Sequence, residues 1–378
     1  MDTKRLMVLD KGFLLVLFLV VAFGMIVLAS AGNSVSSDPF YYMKRQMAFF
    51  IVGVVCAIII MRYDLAALRK YSLLLYILVI VILIAVLIFG VEQRGTKGWI
   101  GIGSLPALQP AEFTKVLLII AFADFLARRQ EALNSLKEII PALIFMGVPF
   151  VLIMLQPDLG TALVYIAITV VMLFMAGANP RIMIGLIASA VAFIALWLFL
   201  HFQFGLWLPL DDYQIDRLVV FVDPYNDGQG GRGAGWNIIQ ALIAIGSGGW
   251  MGKGLFHGTQ VQLNFLPEQH TDFIYAVIGE ELGFLGAALV LVLYLILLLR
   301  VLRIAWQARH PQGVLIVIGI TAMWGFHIVE NIGMSIGILP ITGIPLPFLS
   351  YGGSNMITNM LAVGLILNIN FHGKELIF

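Results

Sequence analysis

The 378-residue chain is 61% hydrophobic and only 11% charged, with a mean hydropathy of +1.00. Such a composition excludes a soluble globular domain and marks a polytopic membrane protein. A formal net charge of +1 excludes recognition of nucleic acid through bulk charge. The single cysteine, Cys56, excludes an intrachain disulfide and a thiolate metal cluster.

A helix crosses the hydrocarbon core with about 20 apolar residues. Ten segments meet that requirement in chain order: roughly 13–31, 46–62, 71–91, 112–127, 139–155, 159–176, 182–200, 272–299, 313–337 and 355–370. The first follows Lys4, Arg5 and Lys11, as a signal peptide would. It is long for an h-region and lacks a small-residue cleavage site, so it reads as a retained helix. The expected fold is an all-α integral membrane protein of ten transmembrane helices, a single polytopic domain over 1–378. Lys and Arg set the orientation. With the N-terminus inside, one side collects Arg62, Arg69, Lys70, Arg128, Arg129, Lys137, Arg181, Arg300, Arg303, Arg309 and Lys374. The short loops of the other side hold only Lys44, Arg45, Arg94 and Lys97. Both termini are therefore expected in the cytoplasm, with a long extracellular loop, about 201–271, between helices 7 and 8.

That loop opens with Asp211, Asp212, Asp216 and Arg217 and continues through glycines from Gly228 to Gly235. The apolar piece Trp236 to Ile245 is too short to span and suits a re-entrant or interfacial helix. A second glycine-rich turn, Gly246 to Gly254, carries one cation, Lys253; its spacing is not that of a P-loop. The loop ends in Leu266-Pro-Glu-Gln-His-Thr-Asp272, which places Glu268, His270 and Asp272 where the eighth hydrophobic segment begins, followed by Glu280 and Glu281. Isolated, Asp272 could simply cap a helix. Five ionisable groups within one short stretch at a water–lipid boundary point instead to chemistry.

Other polar residues map to the same side. Arg45 stands at the start of helix 2, and Lys97 with Trp99 precedes helix 4. Glu112 and Lys115, three apart, share a helix face and can pair. Asp158 sits at the break between helices 5 and 6, and Ser350 in an uncharged Pro- and Gly-rich loop before helix 10. Cations together with acids suit a lipid-linked, phosphorylated sugar: basic groups for a pyrophosphate, a base for a hydroxyl and a greasy groove for the tail. His327, Glu330 and Asn331 share one face of helix 9 and read as an interhelical hydrogen-bond cluster.

The runs 266–274 and 279–283, with Leu346–Ser354, Gln109–Glu112, Arg45-Gln46, Trp99-Ile100 and Gln156–Gly160, resemble the blocks of the SEDS family of cell-shape, division and sporulation proteins. The resemblance runs in order along nearly the whole chain. Gln269 and Gly343–Pro347 look more like the elongation members than the division members; Asn355 departs from a Ser common in the family. The resemblance implies an inverting peptidoglycan glycosyltransferase that polymerises lipid II on the outer face of the cytoplasmic (inner) membrane, working with a class B penicillin-binding protein. It carries over Asp272 as the essential residue, here the expected general base. Arg45, Lys97, Trp99, Glu112, Lys115, Asp158, Arg217, Lys253, Glu268, His270 and Ser350 become the candidate substrate groove. No cofactor is demanded; a divalent cation, Mg or Mn, is one further means of neutralising the leaving diphosphate. Two other functions compete. A flippase or transporter for the same lipid would need polar sites near the midplane reachable from both sides, whereas these charges crowd one face. A scaffold for the transpeptidase would need none of them.

Overall fold

The structure is a computed structural model that describes residues 10–374 apart from 37, 64–68, 94–95, 102–107, 130–132 and 209. Among the described residues the chain forms fourteen helices and one two-stranded antiparallel hairpin. Arg94, expected in an outer loop, lies outside the described residues.

Helices α1 (Lys11–Gly32), α2 (Tyr41–Ile60) and α3 (Ser72–Phe89) come first, then the hairpin β1 (Val91–Gln93) and β2 (Thr96–Trp99). Next are α4 (Pro110–Ala127), α5 (Leu136–Met154), α6 (Leu159–Met175) and α7 (Pro180–Phe204). Within the long loop lie α8 (Asp212–Val222), α9 (Trp236–Gly248) and α10 (Thr259–Gln262). The chain ends with α11 (Ile274–Glu281), α12 (Gly283–Gln307), α13 (Pro311–Ser335) and α14 (Gly353–Lys374).

Eight of these, α1, α2, α3, α5, α7, α12, α13 and α14, are long and apolar enough to cross a membrane. All ten expected segments are helical, but two miss that measure. The 18-residue α4 carries Glu112, Lys115 and Asp124, and α6 has only 17 residues. Several segment starts carry a local signal: Asp10 caps α1 through Oδ1 and the Phe13 amide (2.8 Å), and Pro110 and Pro180 occupy first helical positions where their missing N–H costs nothing.

The segment expected as one helix over 272–299 is two. Gly283 adopts φ +64°, a left-handed conformation that ends α11 and restarts the chain as α12. The long loop is likewise richer than the one short helix expected: α9 packs against α11, and α8 and α10 are further helices. Elsewhere α14 packs along α2, α13 against α6, α4 and α12, and α3 against α4. Burial grades the bundle. Of its most apolar stretch, α14 buries 89% and α7 only 6%, so α14 is central and α7 peripheral.

Charge separates to the two ends. Arg300 of α12 meets Asp10 below α1 (3.7 Å), and Arg128 pairs with Asp124 at the end of α4 (2.7 Å). At the opposite ends of the same helices, Ser30 of α1 meets Glu281 (2.8 Å) and α4 begins with Glu112.

Candidate active site

The site is assembled where the start of α4, the 156–158 turn, α8, the turn before α11, the far end of α13 and the 342–345 segment meet. Glu112 and Lys115 lie one turn apart on α4, and their side chains pair at 2.6 Å while almost fully buried. Burial of either charge alone would be costly, so the pair holds itself in place. The Lys115 ammonium also meets His327 Nε2 at 3.2 Å. On the other side of that ring, Nδ1 lies 3.1 Å from the Pro345 carbonyl. A carbonyl can only accept, so Nδ1 carries the proton and Nε2 presents its lone pair to Lys115.

Asp158 caps α6 twice, accepting from the Thr161 amide and hydroxyl at 2.9 Å each, and accepts from the Gln109 side-chain amide at 3.2 Å. Gln109, Glu112, Lys115, Asp158, His327 and the Thr342–Pro345 segment line one polar pocket with about 30 Å³ of water-accessible space. That is room for one or two waters.

Asp272 borders this pocket through Gly343. A methyl group built on Gly343 would lie 3.4 Å from Asp272 Oδ2 and 3.9 Å from Arg217 Nη1. Gly343 itself has φ +75° and lines the pocket. The acid and the guanidinium therefore converge on one point of the pocket wall. Arg217 reaches it because α8 is docked: Tyr213 and Gln214 both donate to the Pro157 carbonyl, next to Asp158. Asp272 reaches it because the Glu268 carbonyl, with Glu268 held at φ +52°, accepts the Thr271 and Asp272 amides at 3.1 and 3.0 Å. The Glu268 carboxylate accepts from the Thr271 hydroxyl at 3.1 Å. The Asn331 amide then donates to the Asp272 carbonyl at 2.7 Å.

Thus Glu112, Lys115 and Asp158 line one pocket, Arg217 and Asp272 approach its wall at Gly343, and Glu268 lies in the supporting turn. The remaining expected residues are placed elsewhere. Lys253 pairs with the buried Glu280 at 2.6 Å and bonds Thr259, tying the second glycine-rich turn to α11. Arg45 bonds the Tyr41 hydroxyl and lies over its ring at 5.2 Å. His270 stacks on Tyr42 with ring centres 4.2 Å apart, and its carbonyl accepts from the Tyr351 amide. Ser350 is buried and fastens its own loop, accepting from the Leu346 amide at 2.8 Å, while its carbonyl accepts from Gln46. Lys97 is exposed on β2, a strand packed against α3 and α4, with Trp99 at the strand's end.

The polar face of α13 corrects the interhelical reading. His327 holds Pro345, Glu330 accepts from the Thr342 hydroxyl (2.9 Å), and Asn331 donates to the Ile344 carbonyl (2.8 Å). It is chiefly a helix-to-loop clamp on the segment that presents Gly343. Polar residues in an otherwise apolar span were the signal; their partner, a loop close in sequence, was not legible from spacing. Among the described residues no group of three His, Cys, Asp or Glu side chains is placed to hold a metal ion.

The model of the FtsW/RodA/SpoVE family of cell cycle proteins matches residues 10–375. The chain belongs to this family. Among relatives, stage V sporulation protein E of Bacillus subtilis is 37% identical over 374 residues, spanning 97% of this chain and 98% of that protein. Peptidoglycan glycosyltransferase MrdB of Escherichia coli K12 is also 37% identical, over 97% of this chain and 95% of its own. The probable peptidoglycan glycosyltransferase FtsW of Trichlorobacter lovleyi is 35% identical, over 97% and 94%. Family likeness extends to solved structures. The rod shape determining protein RodA of Thermus thermophilus superposes with a TM-score of 0.71 at 28% identity, over 97% of this chain and 98% of that one. A chain from a peptidoglycan synthase complex that coordinates polymerization and crosslinking gives 0.80 at 28%, over 97% and 99%.

Proposed function

We propose that this chain is a peptidoglycan glycosyltransferase that polymerises lipid II at the outer face of the cytoplasmic membrane during cell elongation. The observation that carries the reading is the convergence of Asp272 and Arg217 on Gly343, in the wall of the pocket that holds Lys115. Asp272 takes the proton from the C4 hydroxyl of the acceptor's N-acetylglucosamine. That oxygen attacks C1 of the donor's N-acetylmuramic acid with inversion, and undecaprenyl diphosphate leaves. Arg217 and Lys115 face the charge that develops on the leaving group, where preorganised electrostatics contribute most. The names of MrdB and FtsW supply the reaction class.

The ten crossings are the eight long apolar helices together with α4 and α6, with α11 and α12 making one crossing between them. Pairing of Glu112 with Lys115 is how a span tolerates such charges. The excess of Lys and Arg in the loops of one side supports both termini in the cytoplasm and the loop 201–271 outside. Structural likeness to a chain of a synthase complex supports a class B penicillin-binding protein as partner. The elongation role rests on Gln269 and Gly343–Pro347.

The test is reconstitution of the purified full-length chain with lipid II, with and without the transpeptidase, reading glycan products on a gel. Glycan strands from the wild type support the reading. Movement of lipid II across the bilayer with no polymer under either condition would replace it with the carrier.

A further inference from the structure

Lys115 has one acidic partner, Glu112, and one neutral one, His327, and they do different things. Glu112 balances the charge. His327 leaves the charge intact and fixes its direction, because an imidazole pinned at Nδ1 by the Pro345 carbonyl has a single lone pair, and Nε2 directs it at the ammonium (3.1 and 3.2 Å). The ring cannot turn without breaking both contacts, since it is 3% exposed and sits on α13. Four residues on, Asn331 of the same helix holds the Asp272 backbone at 2.7 Å. One helix face therefore grips both the α4 cation and the acid before α11, and the same face grips the 342–345 segment between them.

We infer that His327 is a positioning residue: in its Nδ1-protonated form it aims the Lys115 ammonium into the pocket, where one oxygen of a diphosphate takes the place of a water and accepts from it, at a spacing from Asp272 that α13 sets. This deepens the glycosyltransferase reading and rests on it. A residue that only packed would be replaceable by any apolar side chain of similar size. A positioning residue is replaceable only by one that accepts from Lys115 and donates to Pro345. Glutamine has both groups; leucine has neither. Because Lys115 meets charge that grows toward the transition state, a misaimed ammonium lowers kcat more than it raises KM.

The experiment compares wild type, His327→Gln, His327→Leu, Lys115→Met and the His327→Leu/Lys115→Met double variant, each full-length in liposomes with lipid II. His327→Leu is expected to lower kcat by about 10–100-fold, the scale of a small misplacement of a catalytic group, with KM changed far less. His327→Gln should stay within about 3-fold of wild type, and His327→Leu should cost nearly nothing once Lys115 is methionine, the non-additivity of two residues acting as one unit. Wild-type kinetics in His327→Leu, or additive losses in the double variant, would overturn the inference. Glutamine keeps both hydrogen bonds and is the variant least at risk of misfolding; a tenfold loss in a folded His327→Gln also overturns it. Geranyl diphosphate carries the terminal charge that departure of the leaving group generates and that the diester of lipid II lacks, so its binding to the detergent-solubilised proteins reports the aim of Lys115 apart from KM and separates this inference from the reaction assignment. A wild type that makes no glycan but binds the diphosphate, with binding lost in His327→Leu and kept in His327→Gln, removes the reaction and leaves the positioning role standing. Equal binding in all three removes the positioning role.

Discussion

Asn331 holds Asp272 by its main chain, the side-chain amide donating to the Asp272 carbonyl at 2.7 Å and to the Ile344 carbonyl at 2.8 Å. A single buried amide thus fastens the turn that carries the acid to the segment that carries Gly343. The arrangement fixes where the carboxylate emerges.

Replacing Asn331 with leucine strips both carbonyls of a buried donor. Each orphaned group costs about 1–3 kcal/mol, so a marked fall in the melting temperature of the solubilised protein is expected. Polymerisation should fall further than the loss of folded protein explains, which specific activity per folded molecule will show. Unchanged activity per folded molecule would mean that the Asp272 turn holds its place without this tie.

Gly343→Ala adds a methyl group 3.4 Å from Asp272 Oδ2 in a backbone of φ +75°. The left-handed conformation costs an L-residue about 1–2 kcal/mol. At that distance the methyl group is in van der Waals contact with the carboxylate, so the backbone shift that relieves the strain carries it against Asp272. Loss of at least tenfold in kcat with retained folding is expected on the scale of a misplaced catalytic group, about 10²-fold per ångström; full activity would show that this approach is slack.

Lys115→Met strands the buried Glu112 carboxylate and should destabilise by about 3–5 kcal/mol, the cost of breaking a buried pair from one side. Adding Glu112→Gln removes the stranded charge. The double variant should recover most of the stability while its activity stays at the low residual level of Lys115→Met, separating packing from chemistry. Thermal unfolding and glycan synthesis on the same preparations check both halves.

Asp227 gives a pH effect remote from the pocket. Its carboxylate accepts backbone amides from Gly231, Gln229, Gly233 and Gly235, which hold it down to about 2 from an ordinary value of 3.8. A depressed acid stabilises above its unfolded value and ceases to do so as pH falls through the folded one. The 227–235 loop should therefore keep its amide protection at neutral pH and lose it between about pH 4 and 2. Asp227→Asn should lose part of it already at pH 7. Hydrogen exchange of that peptide is the measurement, and identical exchange in the variant at pH 7 would contradict it.

The sequence reveals which segments are helical, because hydropathy is a one-dimensional signal. It reveals the Glu112–Lys115 pair for the same reason, since three residues is one helical turn. It does not reveal radial position. Lys253, Arg45 and Lys115 share a side, yet Lys253 is spent on Glu280 and Arg45 on Tyr41, while Lys115 faces the pocket. Nor does the hydropathy of 272–299 disclose a break at Gly283, whose left-handed backbone depends on the neighbouring 251–252 turn pressed against it. His327 shows both limits together. Its spacing with Glu330 and Asn331 locates the face, but the partners, Lys115 and Pro345, come from an earlier helix and a following loop.

Polymerisation of lipid II by Asp272→Asn, set beside wild type in the same liposomes, tests the central claim most directly. Asparagine keeps the size of the side chain and the Asn331 contact to the main chain but cannot take a proton. The glycan signal should fall by at least about 10²-fold, the lower end of what a general base supplies, with melting temperature unchanged. A folded Asp272→Asn protein that makes glycan at the wild-type rate would contradict the account.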